Sequence, residues 1–217
     1  MARDANHALF ADLSNNNRYF NAARYRRAGH RLVALKASEG DGFVDERHAR
    51  WSAEAHHAGL AVVHYCYCTP GRGSGRAAAD LFWSVVDRHF IPGRDRLALD
   101  MEVFGPPGTV SAYLAEADAR LGELAGDAPA NRPVGYTYRA FFEAHTPVLR
   151  SRCWWIADYG DRLHLGSDLG SDQRLWAQQF TDGTSGAGPH SVRGVAGPCD
   201  VSALNAESLR HIERALG

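Results

Sequence analysis

Two carboxylates close together in the chain, Asp100 and Glu102, end an apolar run reading Leu97-Ala-Leu-Asp-Met-Glu102. On a strand, residues i and i+2 point to one face with Cα atoms roughly 6.5 Å apart, and like charges so placed raise at least one pKa. A carboxylic acid kept protonated near neutral pH is what a general acid for glycosidic cleavage requires. The Asp-x-Glu pattern is short, however, and a solvated acidic rim or a divalent-metal site uses the same residues. Three more acids stand at or just after the ends of apolar runs, Asp12, Glu39 and Asp158, and a fourth, Asp200, precedes the last short run. Any one alone reads as a helix cap or turn former. Six directed at one rim read as a polar site.

Aromatic residues interleave with these acids, among them Tyr65, Tyr67, Phe104, Tyr136, Tyr138, Trp154, Trp155, Tyr159, Trp176 and Phe180. Flat rings with polar edges suit the apolar faces of sugars, and they equally suit a core. Tyr65, Tyr136 and Tyr159, at or near strand ends, are the ones expected in a binding groove.

Other chemistries are poorly supplied. The run Pro70-Gly-Arg-Gly-Ser-Gly-Arg76 lacks the Gly-Lys-Ser/Thr ending and the Gly-x-Gly-x-x-Gly spacing of phosphate loops, so a flexible loop over the site is expected there. His56 and His57 are neighbours on a predicted helix and cannot both face one metal, while His30, His48 and His64 lack ligand spacing. No metal and no cofactor is therefore expected. The absence of a Gly-x-Ser-x-Gly elbow removes the best hint of a serine hydrolase.

The elements that must position these residues alternate short apolar runs with longer amphipathic stretches, the pattern of parallel strands joined by crossover helices. Strands are predicted over Ala8–Leu13, Leu32–Ala37, Leu60–Tyr67, Leu97–Val103, Pro133–Thr137, Cys153–Ala157 and Leu175–Phe180, with a last short run at Val201–Leu204. Helices are predicted over Arg18–Ala28, Asp45–Ala58, Arg76–His89, Thr109–Ala125 and Arg139–Ala144, with Ala206–Leu216 as a closing helix. Two stretches rich in Gly, Ser and Asp, Asp158–Arg174 and Thr181–Pro198, break the rhythm and predict loops. A regular eightfold barrel takes about 250 residues. The 217 residues here fit an irregular α/β barrel of the TIM type, as one domain over residues 1–217. In such a barrel functional side chains collect where strands end at the carboxyl face.

Lys plus Arg number 24 against 25 for Asp plus Glu, and the net charge of -1 supplies no field for a nucleic-acid backbone. No stretch approaches the roughly 20 apolar residues that span a bilayer, and Met1–Asp12 lacks the basic start and apolar run of a signal peptide. A soluble monomer with no nucleic-acid or membrane partner is expected. Four cysteines are too few for a disulfide scaffold. Cys66 and Cys68 share one face of a strand, where a disulfide needs distorted backbone, and they read as small residues filling the barrel interior or its rim. Cys153 and Cys199 pair only if the fold joins them.

In order along the chain, the segments Asp12-Leu-Ser14, Lys36-Ala-Ser-Glu-Gly40 with Phe43-Val-Asp45, Gly59-Leu-Ala-Val-Val-His-Tyr65, Leu99-Asp-Met-Glu-Val103, Gly135-Tyr-Thr137, Trp155-Ile-Ala-Asp-Tyr-Gly160, Gln179-Phe-Thr181 and Asp200 resemble the lysozymes of glycoside hydrolase family 25, the Chalaropsis-type muramidases. The match covers nearly the whole chain. It implies a barrel of eight strands and about five helices that cleaves the β-1,4 bond from N-acetylmuramic acid to N-acetylglucosamine in bacterial peptidoglycan. By position it makes Glu102 the general acid, Asp100 the assisting carboxylate, and Asp12 and Asp200 further acids of the groove. Tyr65, Tyr136, Asp158, Tyr159, Lys36 and Glu39 become substrate-binding or electrostatic residues, with Lys36 facing the interior to balance the acids.

Two positions depart from the family pattern: Cys66 stands where His is common, and Gln178 where Trp is frequent, which bears on subsite contacts more than on the acids. Asp100 either attacks the anomeric carbon, with about 5–5.5 Å between carboxyl groups, or orients the substrate's N-acetyl group as nucleophile; the requirement for an N-acetyl sugar favours the second. The competing readings are a glycan-binding barrel that no longer cuts, and a chitinase-like enzyme acting on N-acetylglucosamine polymers. The missing signal peptide fits a phage endolysin, or export by another route.

Overall fold

The computed structural model of the protein describes residues 6–145, 147–160 and 172–217. Among these residues, nine strands form one sheet: β1 (Leu9–Leu13), β2 (Leu32–Glu39), β3 (Phe43–Val44), β4 (Ala61–Tyr67), β5 (Arg96–Asp100), β6 (Val134–Tyr138), β7 (Cys153–Ala157), β8 (Arg174–Thr181) and β9 (Asp200–Leu204). The sheet order is β1-β9-β8-β7-β6-β5-β4-β2-β3, and a parallel pairing of β1 with β2 closes eight of these strands into a barrel with β3 appended. β9 runs antiparallel to both its neighbours, so the barrel is irregular at the seam.

Among the described residues, six helices surround the sheet: α1 (Ala22–Arg27), α2 (His48–His57), α3 (Gly75–Val86), α4 (Pro107–Ala125), α5 (Arg139–His145) and α6 (Ala206–Leu216). Their starts follow local chemistry. Asn21, Ser74 and Asn205 accept hydrogen bonds from the backbone N–H three residues on, at 2.8, 3.1 and 2.7 Å, which satisfies donors that a first helical turn leaves unpaired. The Asn21 cap makes α1 shorter than the Arg18–Ala28 predicted. Gly75 lets α3 approach α4 closely, since a Cβ there would lie 1.9 Å from the carbonyl oxygen of Tyr113.

Strands such as β4 and β5 are buried on both faces, and so they read as continuous apolar runs. On β4, Ala61, Val63 and Tyr65 point into the barrel with Phe10, Leu32, Ala98 and Trp155. Val62 packs outward beneath α1 and α2, and Cys66 packs outward beneath α3 and α4. Cys66 and Cys68 therefore fill the layer between sheet and helices, not the barrel interior, and all four cysteines are free. Ile212, with Leu209 packed against it, joins α6 to the interior cluster.

Three differences from the sequence reading matter for the site. β5 ends at Asp100, so Glu102, inside the predicted Leu97–Val103, lies beyond the observed strand. β2 runs through Glu39, and Phe43–Val44 pairs back on it as a short antiparallel turn of sheet that hydrophobic pattern did not announce. Parallel pairing of β2 with β4 also shifts between Lys36 and Ser38, leaving Ala37 as an extra residue.

Candidate active site

Asp12 and Asp200 are directly opposite each other on antiparallel β1 and β9. Asp100 closes β5, opposite Tyr67 on one side and Tyr136 on the other. Although the strand stops there, Met101 N–H still donates to the Tyr136 carbonyl at 2.8 Å, and the Met101 side chain is fully buried in the outer layer. Alternation thus persists for one more residue and turns Asp100 and Glu102 to the same side. The four carboxyl groups interact: Asp200 and Glu102 act on Asp12, and Glu102 and Asp12 act on Asp100.

Proton affinity is high throughout. Burial, followed by the charge of Asp200, lifts Asp12 well above the ordinary carboxyl value. Burial, then Glu102 and Asp12, does the same to Asp100. Glu102 is raised by burial and by Asp200, and Asp200 is raised to about 6 by burial and by Asp182. Among the described residues, Oδ1 of Asp12 and Oδ1 of Asp100 are buried without a hydrogen-bond partner. Such groups cost stability, and an oxygen of this kind is placed to meet a polar atom of a ligand.

Among the described residues, a lysine tempers the cluster. Lys36 lowers both Asp12 and Asp100. Its Nζ lies 2.7 Å from Oε2 of Glu39 and 5.1 and 5.5 Å from the ring centres of Tyr67 and Phe43. Residues three apart on a regular strand face opposite ways; the extra residue at Ala37 is what brings Lys36 and Glu39 together.

Tyrosines hold the acids from below. Tyr65 hydrogen-bonds the carboxyl of Asp12, and the Tyr136 hydroxyl contacts Glu102. Both rings are buried, at 7% and 6% exposure, so these residues offer hydroxyls to the acids, not open stacking faces to a sugar. Exposed rings near the rim include Tyr159, Phe43 and Phe104, with Phe104 leaning on Tyr138 and Phe141. Asp158 stands apart from the four acids: it pairs with Arg139 at 3.4 Å and accepts the Gly160 N–H at 3.0 Å.

Sequence reasoning missed Gln179 as a site residue. Its side chain is fully buried, its Nε2 donates to Oδ2 of Asp200 at 3.3 Å, and its Oε1 accepts from the hydroxyls of Tyr136 at 2.8 Å and Tyr159 at 3.2 Å. The signal available was its place in one of the matching segments. A cavity of about 530 Å³ lies at the other rim, among Arg96, Arg132, Cys153, Arg174 and His211 where strands begin, and holds none of the four acids.

Structures known for other proteins share this architecture. A bacterial lysozyme from Streptomyces coelicolor is 21% identical with a TM-score of 0.75, the match covering 96% of this chain and 97% of that one. A family 25 glycosyl hydrolase from Bacillus anthracis is 16% identical with a TM-score of 0.74, over 94% and 92%. The catalytic domain of an endolysin from a bacteriophage of Listeria monocytogenes is 17% identical with a TM-score of 0.70, over 95% and 97%. No curated protein matches the sequence significantly. The family model for glycosyl hydrolases family 25 matches residues 11–188. With the acids at the carboxyl rim of this barrel and that match over most of its length, the chain belongs to glycosyl hydrolase family 25 and is a glycoside hydrolase.

Proposed function

We propose that the protein is an N-acetylmuramidase that hydrolyses the β-1,4 bond between N-acetylmuramic acid and N-acetylglucosamine in bacterial peptidoglycan. The observation that carries this reading is the convergence of Asp12, Asp100, Glu102 and Asp200 at one rim with raised proton affinities. Family membership, and the bacterial lysozyme and phage endolysin that share this fold, support the substrate class.

In this mechanism Glu102 enters protonated and gives its proton to the glycosidic oxygen as the bond to the anomeric carbon breaks. Asp100, with a buried oxygen free of protein partners, accepts the N–H of the muramic acid acetamido group. That contact steers the acetyl carbonyl oxygen onto the anomeric carbon and stabilises the positive charge of the cyclic intermediate. Glu102, now ionised, takes a proton from water, whose oxygen opens the ring and restores the sugar. Asp12 and Asp200 keep the local potential negative where cationic charge develops. Lys36 keeps a fraction of the acids ionised, while Glu39, Asp158 and Tyr159 shape the groove.

The test is digestion of purified peptidoglycan by the wild type and by Glu102→Gln, with mass spectrometry of the reduced fragments. New reducing ends on muramic acid, lost in the variant, are expected. Reducing ends on N-acetylglucosamine instead would point to a glucosaminidase, and a wild type that binds wall without cutting would return the barrel to a glycan-binding role. A substrate whose N-acetyl group is replaced by one unable to participate should be cleaved far more slowly; an undiminished rate would move Asp100 to the nucleophile.

A further inference from the structure

We infer that His56, His64 and Asp95 form a binding site for a divalent transition-metal ion of the zinc type, on the outer side of the barrel wall. The three residues come from separate elements: the last turn of α2, the middle of β4, and the turn preceding β5. His64 follows Val63 and precedes Tyr65, both of which point inward, so its side chain leaves the opposite face of β4 from the acids' side. Nε2 of His56 lies 2.9 Å and Nε2 of His64 lies 3.4 Å from one oxygen, Oδ2 of Asp95. One donor atom from each residue falls within 4.8 Å of the others. Donors bound tetrahedrally to zinc at about 2.0–2.1 Å stand about 3.3 Å from one another, and the two histidine–carboxylate distances, 2.9 and 3.4 Å, bracket that value.

The surroundings are those of a prepared site. Both oxygens of Asp95 are aimed by backbone donors, Val62 N–H at 3.0 Å and Ile91 N–H at 2.8 Å. The other ring nitrogen of His64, Nδ1, is 2.8 Å from Nε2 of His48. A ligating imidazole is commonly fixed by such an outer partner on its second nitrogen. The carboxyl is fully buried, and its ion-pairing partners among the described residues are imidazoles alone. Two imidazole nitrogens and one carboxylate oxygen suit zinc among the divalent ions, and a water completes the fourth position.

A metal-free arrangement also exists in principle, a chain in which His48 donates to His64 and His64 to Asp95. It accounts poorly for His56, whose Nε2 is 2.9 Å from the carboxylate oxygen yet oriented outside hydrogen-bond geometry. It also leaves His64 to Asp95 at the long distance of 3.4 Å. A cation held between the three atoms accounts for both. Spacing along the chain gave no hint, because His64 and Asp95 are 31 residues apart and none of the donors forms a local pair.

The test uses the whole chain, stripped with chelator and dialysed against buffered Zn²⁺, with metal content measured per chain. One equivalent is expected in the wild type and in His57→Ala, a neighbouring exposed histidine, and loss of that equivalent in His56→Ala. His56 is the ligand to change because it sits at the end of α2 with 15% of its side chain exposed, and circular dichroism checks that the variant folds. Substituting Co²⁺ should give the visible absorption of a tetrahedral site in the wild type alone of the pair. Failure of the wild type to hold a stoichiometric ion, or equal retention by His56→Ala, overturns the assignment. No substrate enters these measurements, so their outcome is separate from that of the muramidase test.

Discussion

Replacing Gln179 by Met should shift the pH dependence of cleavage, and the direction follows from which atoms own hydrogens. An ionised Asp200 can only accept, so the Gln179 amide must present Nε2 to it. Oε1 is left for Tyr136 and Tyr159, and each commits its one hydroxyl hydrogen to that oxygen. The Tyr136 hydroxyl therefore shows only lone pairs to Glu102. A hydroxyl beside a carboxyl is often taken to favour the ionised form; here it accepts from the protonated acid and opposes the anion. Methionine has similar bulk and cannot hold the Tyr136 hydrogen, which then turns to donate to the Glu102 carboxylate. A hydrogen bond to a charged group is worth about 1.5 kcal/mol or more, or about one pKa unit downward. A general acid works below its pKa, so the alkaline limb of kcat/KM should move about one unit towards acid. At a pH above both limbs that is about a tenfold loss of rate. The assay is turbidity loss of wall suspensions from pH 4 to 9, repeated in a Tyr136→Phe background where the shift should vanish. A limb that stays in place, or moves towards alkali, would refute the proton assignment.

Three other outcomes follow. Asp200→Asn should stabilise the fold above pH 6: the folded carboxyl binds its proton up to about 6 against an ordinary value of 3.8, so the wild type loses stability as pH rises through that window. The difference is bounded at about 3 kcal/mol and falls to about 1–2 kcal/mol after solvent screening; urea melts at pH 7.5 and 3.5 should show it at the first and not the second. Gly135→Ala places a Cβ 2.2 Å from the Trp154 ring and should cost about 1–3 kcal/mol by overpacking, whereas Gly42→Ala, with nothing within 4 Å, should stay within about 0.5 kcal/mol. Phe104→Ala removes a ring that is 61% exposed beside the acids and should raise KM several-fold with kcat and thermal midpoint little changed; a fall in kcat alone would take that ring out of the binding groove.

What could be read from sequence was whatever depends on one element at a time. The closing helix Ala206–Leu216 was predicted with its observed bounds, because a cap, an amphipathic period and a terminal Gly all agree there. Asp12 and Asp100 were legible because parallel strands send their ends to one rim, and Asp200 reaches the same rim because it begins the antiparallel β9 opposite Asp12. Features that depend on register were hidden. An alternating pattern sends Lys36 and Glu39 to opposite faces, and only the extra residue at Ala37 reverses that. Pairing also slips between Trp154 and Trp155 on β7, and between Gln179 and Thr181 on β8. A neutral amide in a strand reads as solvent-facing, and the burial of Gln179 becomes intelligible once two tyrosines and an aspartate meet it. Tyr65 and Tyr136 were expected to offer faces and instead offer hydroxyls, a distinction set by χ angles that no pattern encodes.

The same packing that closes the barrel also sets its chemistry. Phe10, Trp155 and Trp176 meet at ring separations of 5.1, 5.7 and 6.4 Å, and Tyr136 leans on Trp155 at 4.6 Å. This aromatic layer shares the interior with Tyr65, the partner of Asp12, so the acids rest on apolar ground instead of water. Burial is accordingly the largest cause of the raised proton affinity of each of the four carboxyl groups. Charges held over such a floor oppose folding, and the barrel tolerates them because its strands are buried on both faces elsewhere. Thinning the floor should therefore trade in the opposite sense from removing an acid: Trp155→Leu lowers stability by opening a cavity, admits water beneath the cluster, and lowers proton affinity at Glu102 without touching any carboxyl group.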